Sequence, residues 1–312
     1  MKSSIFTIVF LIIAMSFLYA QTEKTVVLNT ATGDIEGTLM QPELNTTNTV
    51  ALIIAGSGPT DRDGNNPAMK NNSLLMIAAE LSKNGIASLR YDKRGIAKSQ
   101  KAGLKESDLR FENYVNDAKE WIIYLKKALK FKNIIVIGHS EGSLIGMIAS
   151  QNINVTKFVS LAGAGQPADK LIREQLKSQP PAITIQSNSI MDQLLKGKTV
   201  ENVPQQLNSL FRLSVQPYII SWFKYDPQKE IAKLKIPVMI IQGTTDIQIG
   251  LDDAKRLAKA LAGSKLVVIE GMNHIMKPAP ADRQMNILTY TQPDLALKKE
   301  LIFNLIPFVT GK

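Results

Sequence analysis

Apolar residues follow two rhythms along this chain, short runs and longer helical stripes, and the two alternate. The runs at residues 50–55, 86–91, 134–137, 158–162, 238–242 and 266–269 show little polar alternation, the pattern of strands covered on both faces. Between them, 73–83 sets Leu74, Leu75, Ile77, Ala78 and Leu81 at helical spacing and closes at Gly85. Residues 111–129 do the same with Val115, Ala118, Trp121, Ile122 and Leu125, and Trp121 on that stripe reads as core. Further helices are expected at 143–151, 252–261 and 295–309. The segments 25–28 and 34–40, joined at Thr32-Gly33, read as an antiparallel hairpin at one sheet edge. Strands alternating with helices predict an α/β fold with a mostly parallel sheet.

The rhythm fails between 166 and 235. This interval offers no convincing strand but has Pro180-Pro181, a Met191-Leu194-Leu195 stripe and an aromatic-rich end of Phe211, Tyr218, Trp222, Phe223 and Tyr225. It is expected to be a helical cap inserted into an α/β core made of 21–165 and 236–312. Its aromatics pack the cap onto the core, line a pocket, or do both. Residues 1–20 are set apart from the fold: Lys2 supplies a positive start, 5–18 is apolar, and Tyr19-Ala20-Gln21 offers a cleavage point. About twenty apolar residues are needed to span a bilayer, and this stretch is shorter. A signal peptide cleaved after Ala20 is therefore expected, with export to the periplasm or the exterior and no stable membrane anchor afterwards.

A net charge of +10 raises the question of nucleic acid, but the cations are scattered in ones and twos, as at Lys126-Lys127 and Lys298-Lys299. A solvated surface is the expectation, not a nucleic-acid site. The absence of cysteine excludes disulfides, metal-thiolate sites and a cysteine nucleophile.

The chemistry concentrates at Gly138-His139-Ser140-Glu141-Gly142. Gly-x-Ser-x-Gly arises by chance in roughly one chain in ten of this size, so the motif alone decides little. Here it follows the strand run 134–137 and precedes a helical stripe, the setting of a nucleophile elbow that lifts a serine hydroxyl out of a sheet. Such a hydroxyl needs a base, and the base an orienting acid. Of the two histidines, His139 adjoins the serine, where its side chain is expected to point away. His274 follows the run 266–269, at the carboxyl end of a strand, where open α/β sheets place their chemistry. Asp246, just after 238–242, is the expected acid; Asp252 and Asp253 compete but begin a helix, where carboxylates serve as caps. The order Ser140, Asp246, His274 suits this architecture.

A tetrahedral oxyanion needs N–H donors. The backbone of Glu141 supplies one, and the loop Gly56-Ser57-Gly58-Pro59 supplies the other from Ser57 or, one residue along, Gly58. Thr60-Asp61-Arg62-Asp63-Gly64-Asn65 continues that loop, with charges able to pair internally and stiffen it or simply to face solvent. The Glu141 carboxylate can repel anionic substrates, bond to the Arg62 loop or face solvent. Tyr91-Asp92-Lys93-Arg94-Gly95 is expected to order loops near the site.

With Gly-Ser-Gly-Pro-x-Asp-Arg-Asp-Gly-Asn and Gly-His-Ser-x-Gly both intact, the chain from about Val50 onward resembles the α/β-hydrolase superfamily, specifically its bacterial serine esterases. The resemblance implies an eight-stranded, mostly parallel sheet with an inserted cap. It further implies Ser140 as nucleophile, Asp246 as acid, His274 as base, a small-molecule ester substrate, and neither cofactor nor metal. Where the broader pattern often has His-Gly at the oxyanion loop, this chain has Ala55-Gly56, which leaves the position of the second donor open. The same machinery serves thioesterases, acyltransferases and serine aminopeptidases. An aminopeptidase needs an acidic group for the substrate amine, a part open to Glu141. A non-catalytic binding protein on this scaffold is the contrasting expectation.

Overall fold

The structure is a computed structural model and describes residues 22–42 and 47–311, so the expected signal peptide at 1–20 and its cleavage point lie outside the described residues. Each run read as a strand forms one: β1 (Thr22–Thr30), β2 (Gly33–Gln41), β3 (Thr49–Ile54), β4 (Ala87–Tyr91), β5 (Asn133–His139), β6 (Lys157–Leu161), β7 (Val238–Gly243) and β8 (Lys265–Ile269). They make one sheet in the order β1-β2-β4-β3-β5-β6-β7-β8. The β1–β2 hairpin lies at the edge, and its β2 joins β4 antiparallel; all later pairings are parallel.

Alternation within the apolar runs sends side chains to two cores, because successive strand residues face opposite ways. Val50, Leu52, Ile54, Ile134, Val136 and Phe158 face one core, while Ala51, Ile53, Ile135, Ile137, Val159 and Leu161 face the other. The helices, in chain order, are α1 (Ser73–Lys83), α2 (Phe111–Lys127), α3 (Glu141–Ala149), α4 (Ala168–Leu176), α5 (Pro181–Leu195), α6 (Asn208–Phe211), α7 (Gln216–Trp222), α8 (Pro227–Ile231), α9 (Leu251–Ala260), α10 (Arg283–Leu288) and α11 (Lys299–Thr310). Helices α1 and α11 cover the second core; α2, α3, α9 and the helices between β6 and β7 cover the first. Between β6 and β7 there is no strand, only α4 to α8 and short turns. Phe111 gathers that insertion onto the sheet, stacking on Trp222 with centroids 6.2 Å apart and meeting Tyr225 at 5.2 Å.

Two helices start some residues away from expectation, and a further one, α10, is not announced by the pattern. Helix α3 starts at Glu141, immediately after the elbow, not at Ser143. Helix α11 starts at Lys299 rather than Leu295, because Leu295 N–H bonds back to the Gln292 carbonyl and Lys298 N–H is drawn to the Met276 carbonyl. Helix α10 carries no legible stripe: Asn286 is buried while Met285, Ile287 and Leu288 are exposed, the reverse of an amphipathic pattern. Among the described residues no helix is long and apolar enough to cross a membrane.

Candidate active site

Strand β5 lies in the middle of the sheet and ends at His139, so Ser140 emerges at the carboxyl edge between the ends of β3 and β6. Its backbone sits at φ 55°, ψ −122°, an unfavourable region for a residue with a Cβ and the geometry of a strained elbow. Bonds from Ser140 N–H to the Leu161 carbonyl and from Ser143 N–H to the Ser140 carbonyl hold it there, both at 2.9 Å. The flanking glycines are required by close approach: a Cβ on Gly138 would collide with the Gly142 carbonyl, and one on Gly142 with the carbonyls of Ile54 and Ala55.

The structure brings Asp246 and His274 together. Their side chains are 0% and 6% exposed, with Nδ1 of His274 2.8 Å from Oδ2 of Asp246. Burial would raise the Asp246 carboxyl, but the nearby His274 and the N–H groups of Ile249 and Gln248, at 2.9 and 2.8 Å, outweigh it and hold it below its ordinary value. Oδ2 also accepts from Gln242 at 2.9 Å, so the carboxylate is fixed from several sides. The competing acids are placed elsewhere: Asp253 accepts the Gly165 N–H at 2.9 Å, and Asp252 is an exposed partner of Lys255. The loop bearing His274 is built on Asn273, which donates to Thr289 at 2.8 Å and accepts the Lys277 N–H at 3.0 Å.

His139 has a part that sequence reasoning missed. Its Nε2 lies 2.8 Å from the His274 carbonyl and its ring centroid 4.8 Å from that of His274, so it buttresses the neighbouring loop. Burial, and next the adjacent His274, push its pKa down to about 3; it stays neutral and donates from Nε2. The signal was present in the sequence only as adjacency to Ser140.

On the oxyanion side, Glu141 N–H opens α3. Gly56 is close enough that a Cβ there would lie 3.1 Å from the Ser140 Cβ, and Ser57 lines both clefts that meet at Ser140. The charges of the following loop do not pair internally. Arg62 instead bonds to Asp92 at 2.6 Å and Glu36 at 2.8 Å, while Asp61 accepts the N–H groups of Asp63 and Asn65. Nor is the Glu141 carboxylate in solvent or on the Arg62 loop: it is buried, accepts from Tyr218 Oη and faces Lys93 Nζ at 3.7 Å. Asp92, Lys93 and Arg94 all point inward, Lys93 donating to the Gly56 carbonyl and Arg94 to Asp117.

Two clefts share Ser140 in their walls. One, under the inserted helices, is mostly apolar, with Leu144, Leu171, Ile172, Trp222 and Ile249. The other is more polar, with Thr60, Asn66, Gln248 and Tyr290 beside His274. Among the described residues no group of three or more His, Cys, Asp or Glu side chains is placed to hold a metal ion.

The model of the family described as Serine aminopeptidase, S33 matches residues 71–277, more than half the chain. The chain belongs to this family. Relatives by sequence include the esterase EstD of Thermotoga maritima, 27% identical in a 242-residue alignment that covers 72% of this chain and 54% of that protein. The chain thus spans about half the length of that relative. The AB hydrolase superfamily protein YisY of Bacillus subtilis is 24% identical over 62% of this chain and 77% of its own. Among solved structures, ferulic acid-bound Est1E from Butyrivibrio proteoclasticus superposes with a TM-score of 0.60 at 20% identity, covering 89% of this chain and 96% of that one. The Pyrococcus furiosus esterase Pf2001 does so at 0.58 and 16%, covering 94% and 91%. This S33 member therefore has the α/β-hydrolase fold.

Proposed function

We propose that the protein is a serine carboxylic-ester hydrolase that works through an acyl-enzyme on small or medium acyl esters. The observation that carries this is the Asp246–His274 pair at 2.8 Å, with His274 and Ser140 in the walls of one cleft. Ser140 Oγ attacks the ester carbonyl while His274 Nε2 takes its proton, and the oxyanion rests on the N–H groups of Ser57 and Glu141. Collapse expels the alcohol, which receives the proton from His274. Water, deprotonated by His274, then attacks the acyl carbon; Ser140 regains its proton and the carboxylic acid leaves. Asp246 holds the Nδ1–H tautomer and stabilises the imidazolium without accepting its proton.

The esterase names of relatives support this reading, as does the apolar cleft under the cap, which suits an acyl chain. The family's description favours a second reading, an aminopeptidase. Against it, the Glu141 carboxylate that would receive an amine is already engaged by Tyr218 and Lys93. Residues 1–20 support export, with a mature chain beginning at Gln21.

The test is hydrolysis of p-nitrophenyl esters from acetate to decanoate beside aminoacyl p-nitroanilides, with Ser140→Ala as control. Ester turnover that vanishes in the variant is expected. Anilide turnover with little ester activity would replace the esterase reading with the aminopeptidase one.

A further inference from the structure

Lys93 is among the largest fully buried side chains of the protein, at 1% exposure, and the ester chemistry does not call on it directly. A buried ammonium is costly unless its protons are taken up by acceptors. Here it donates to the Gly56 carbonyl, stands 3.7 Å from Glu141 Oε2 and lies 5.2 Å above the ring of Tyr114. Tyr218, on α7 of the inserted helices, closes the cluster by donating to Glu141 Oε1.

Both ends of this cluster are joined through single covalent units to the oxyanion donors. The Gly56 carbonyl and the Ser57 N–H belong to one planar, trans peptide group, so fixing the direction of the carbonyl fixes the N–H pointing the opposite way. An ammonium on that carbonyl also polarises the group and strengthens the N–H as a donor. Glu141, whose side chain balances the ammonium, contributes its backbone N–H as the other donor.

We propose that Lys93 is a positioning residue of the oxyanion hole, aiming the Ser57 N–H from behind while its partner Glu141 carries the second donor, with Tyr218 tying the pair to the cap. This inference rests on the acyl-transfer reading of Ser140. Burial holds the Lys93 pKa below its ordinary value, and Glu141 opposes that shift.

The test compares wild type, Lys93→Met, Lys93→Arg and Glu141→Gln in p-nitrophenyl ester kinetics and in the rate at which a fluorophosphonate labels Ser140. Because an oxyanion donor acts chiefly in the transition state, Lys93→Met should lower kcat about 10- to 100-fold with KM nearly unchanged, and slow labelling in parallel. Lys93→Arg should recover part of the loss, since it restores a cationic donor. A purely structural role predicts a lower Tm without this split, and kcat within about twofold of wild type in folded Lys93→Met would overturn the proposal. If Lys93→Met does not fold, Glu141→Gln decides. It keeps an acceptor for Tyr218 but removes the countercharge, so a kcat loss of about tenfold at constant KM supports the proposal and an unchanged kcat overturns it. Wild type that is labelled but hydrolyses no ester would defeat the ester reading alone, leaving Lys93 to be judged from labelling rates. Wild type that is neither labelled nor active would overturn both.

Discussion

The loops at the carboxyl edge of the sheet and the helices that cover them are held by different forces. The loops are fixed by buried, directional bonds: Arg62 on Asp92, Lys93 on the Gly56 carbonyl, Asp246 on His274 and on two backbone N–H groups. The covering helices rest largely on aromatic and aliphatic surface, with Phe111 against Tyr218, Trp222 and Tyr225, and with Phe211 and Ile219 buried behind them. Directional bonds set donor and acceptor positions to a fraction of an ångström, whereas apolar packing tolerates substitution if volume is kept. On the proposed reading, atoms that meet the reacting bond thus sit in the rigid part, and groups that accommodate the rest of a substrate sit in the adaptable part.

The contrast can be broken at four points. His274→Ala should lower kcat by roughly three orders of magnitude or more while circular dichroism stays native; a near-wild-type rate would remove His274 from the mechanism. Asp92→Ala leaves the Arg62 guanidinium and the N–H groups of Arg62 and Lys98 short of a buried acceptor. Breaking such a pair costs about 3–5 kcal/mol, so a large fall in Tm and a loss of kcat are expected together. His139 should reveal itself through pH. Its folded pKa of about 3 lies below its ordinary 6.5, so the unfolded chain takes up the extra proton between those values. Stability is then full above about pH 6.5 and declines as pH falls toward 3, and His139→Asn should flatten that part of the Tm-versus-pH curve. The smallest effect is expected in the cap: Trp222→Phe, which keeps an aromatic ring against Phe111, should shift the preferred acyl length and change kcat on acetate by only about twofold to fivefold. If it instead matched Asp92→Ala in Tm and kcat, the division into rigid loops and adaptable cover would be wrong.

What the chain disclosed in advance follows the same division. Strands β3 to β7 were legible because burial on both faces leaves unbroken apolar runs, whereas β8, read in the same way, keeps Val268 exposed; the candidate residues Ser140, Asp246 and His274 were picked out because each follows an apolar run. Asp246 and His274 meet because β7 and β8 are neighbouring parallel strands that end on one edge. The partners of polar groups were not legible. Nothing in Thr60-Asp61-Arg62-Asp63 announces that Arg62 reaches across to Asp92 and Glu36, since those contacts depend on β2, β3 and β4 lying side by side. Glu141 likewise reads as facing solvent or the Arg62 loop until α7 brings Tyr218 over it. Helix α10 was invisible for a local reason, its burial pattern being the inverse of the usual stripe.

The helical insertion leaves the sheet after β6 and returns at β7, two strands that pair directly in parallel register. In polymer terms the whole insertion is one loop whose ends are pinned side by side. Closing such a loop becomes harder only with the logarithm of its length, about 0.6 kcal/mol for each doubling. A chain with this layout can therefore lengthen, shorten or exchange its covering segment at little thermodynamic cost to the sheet, and the substrate range becomes a property inherited separately from the reaction.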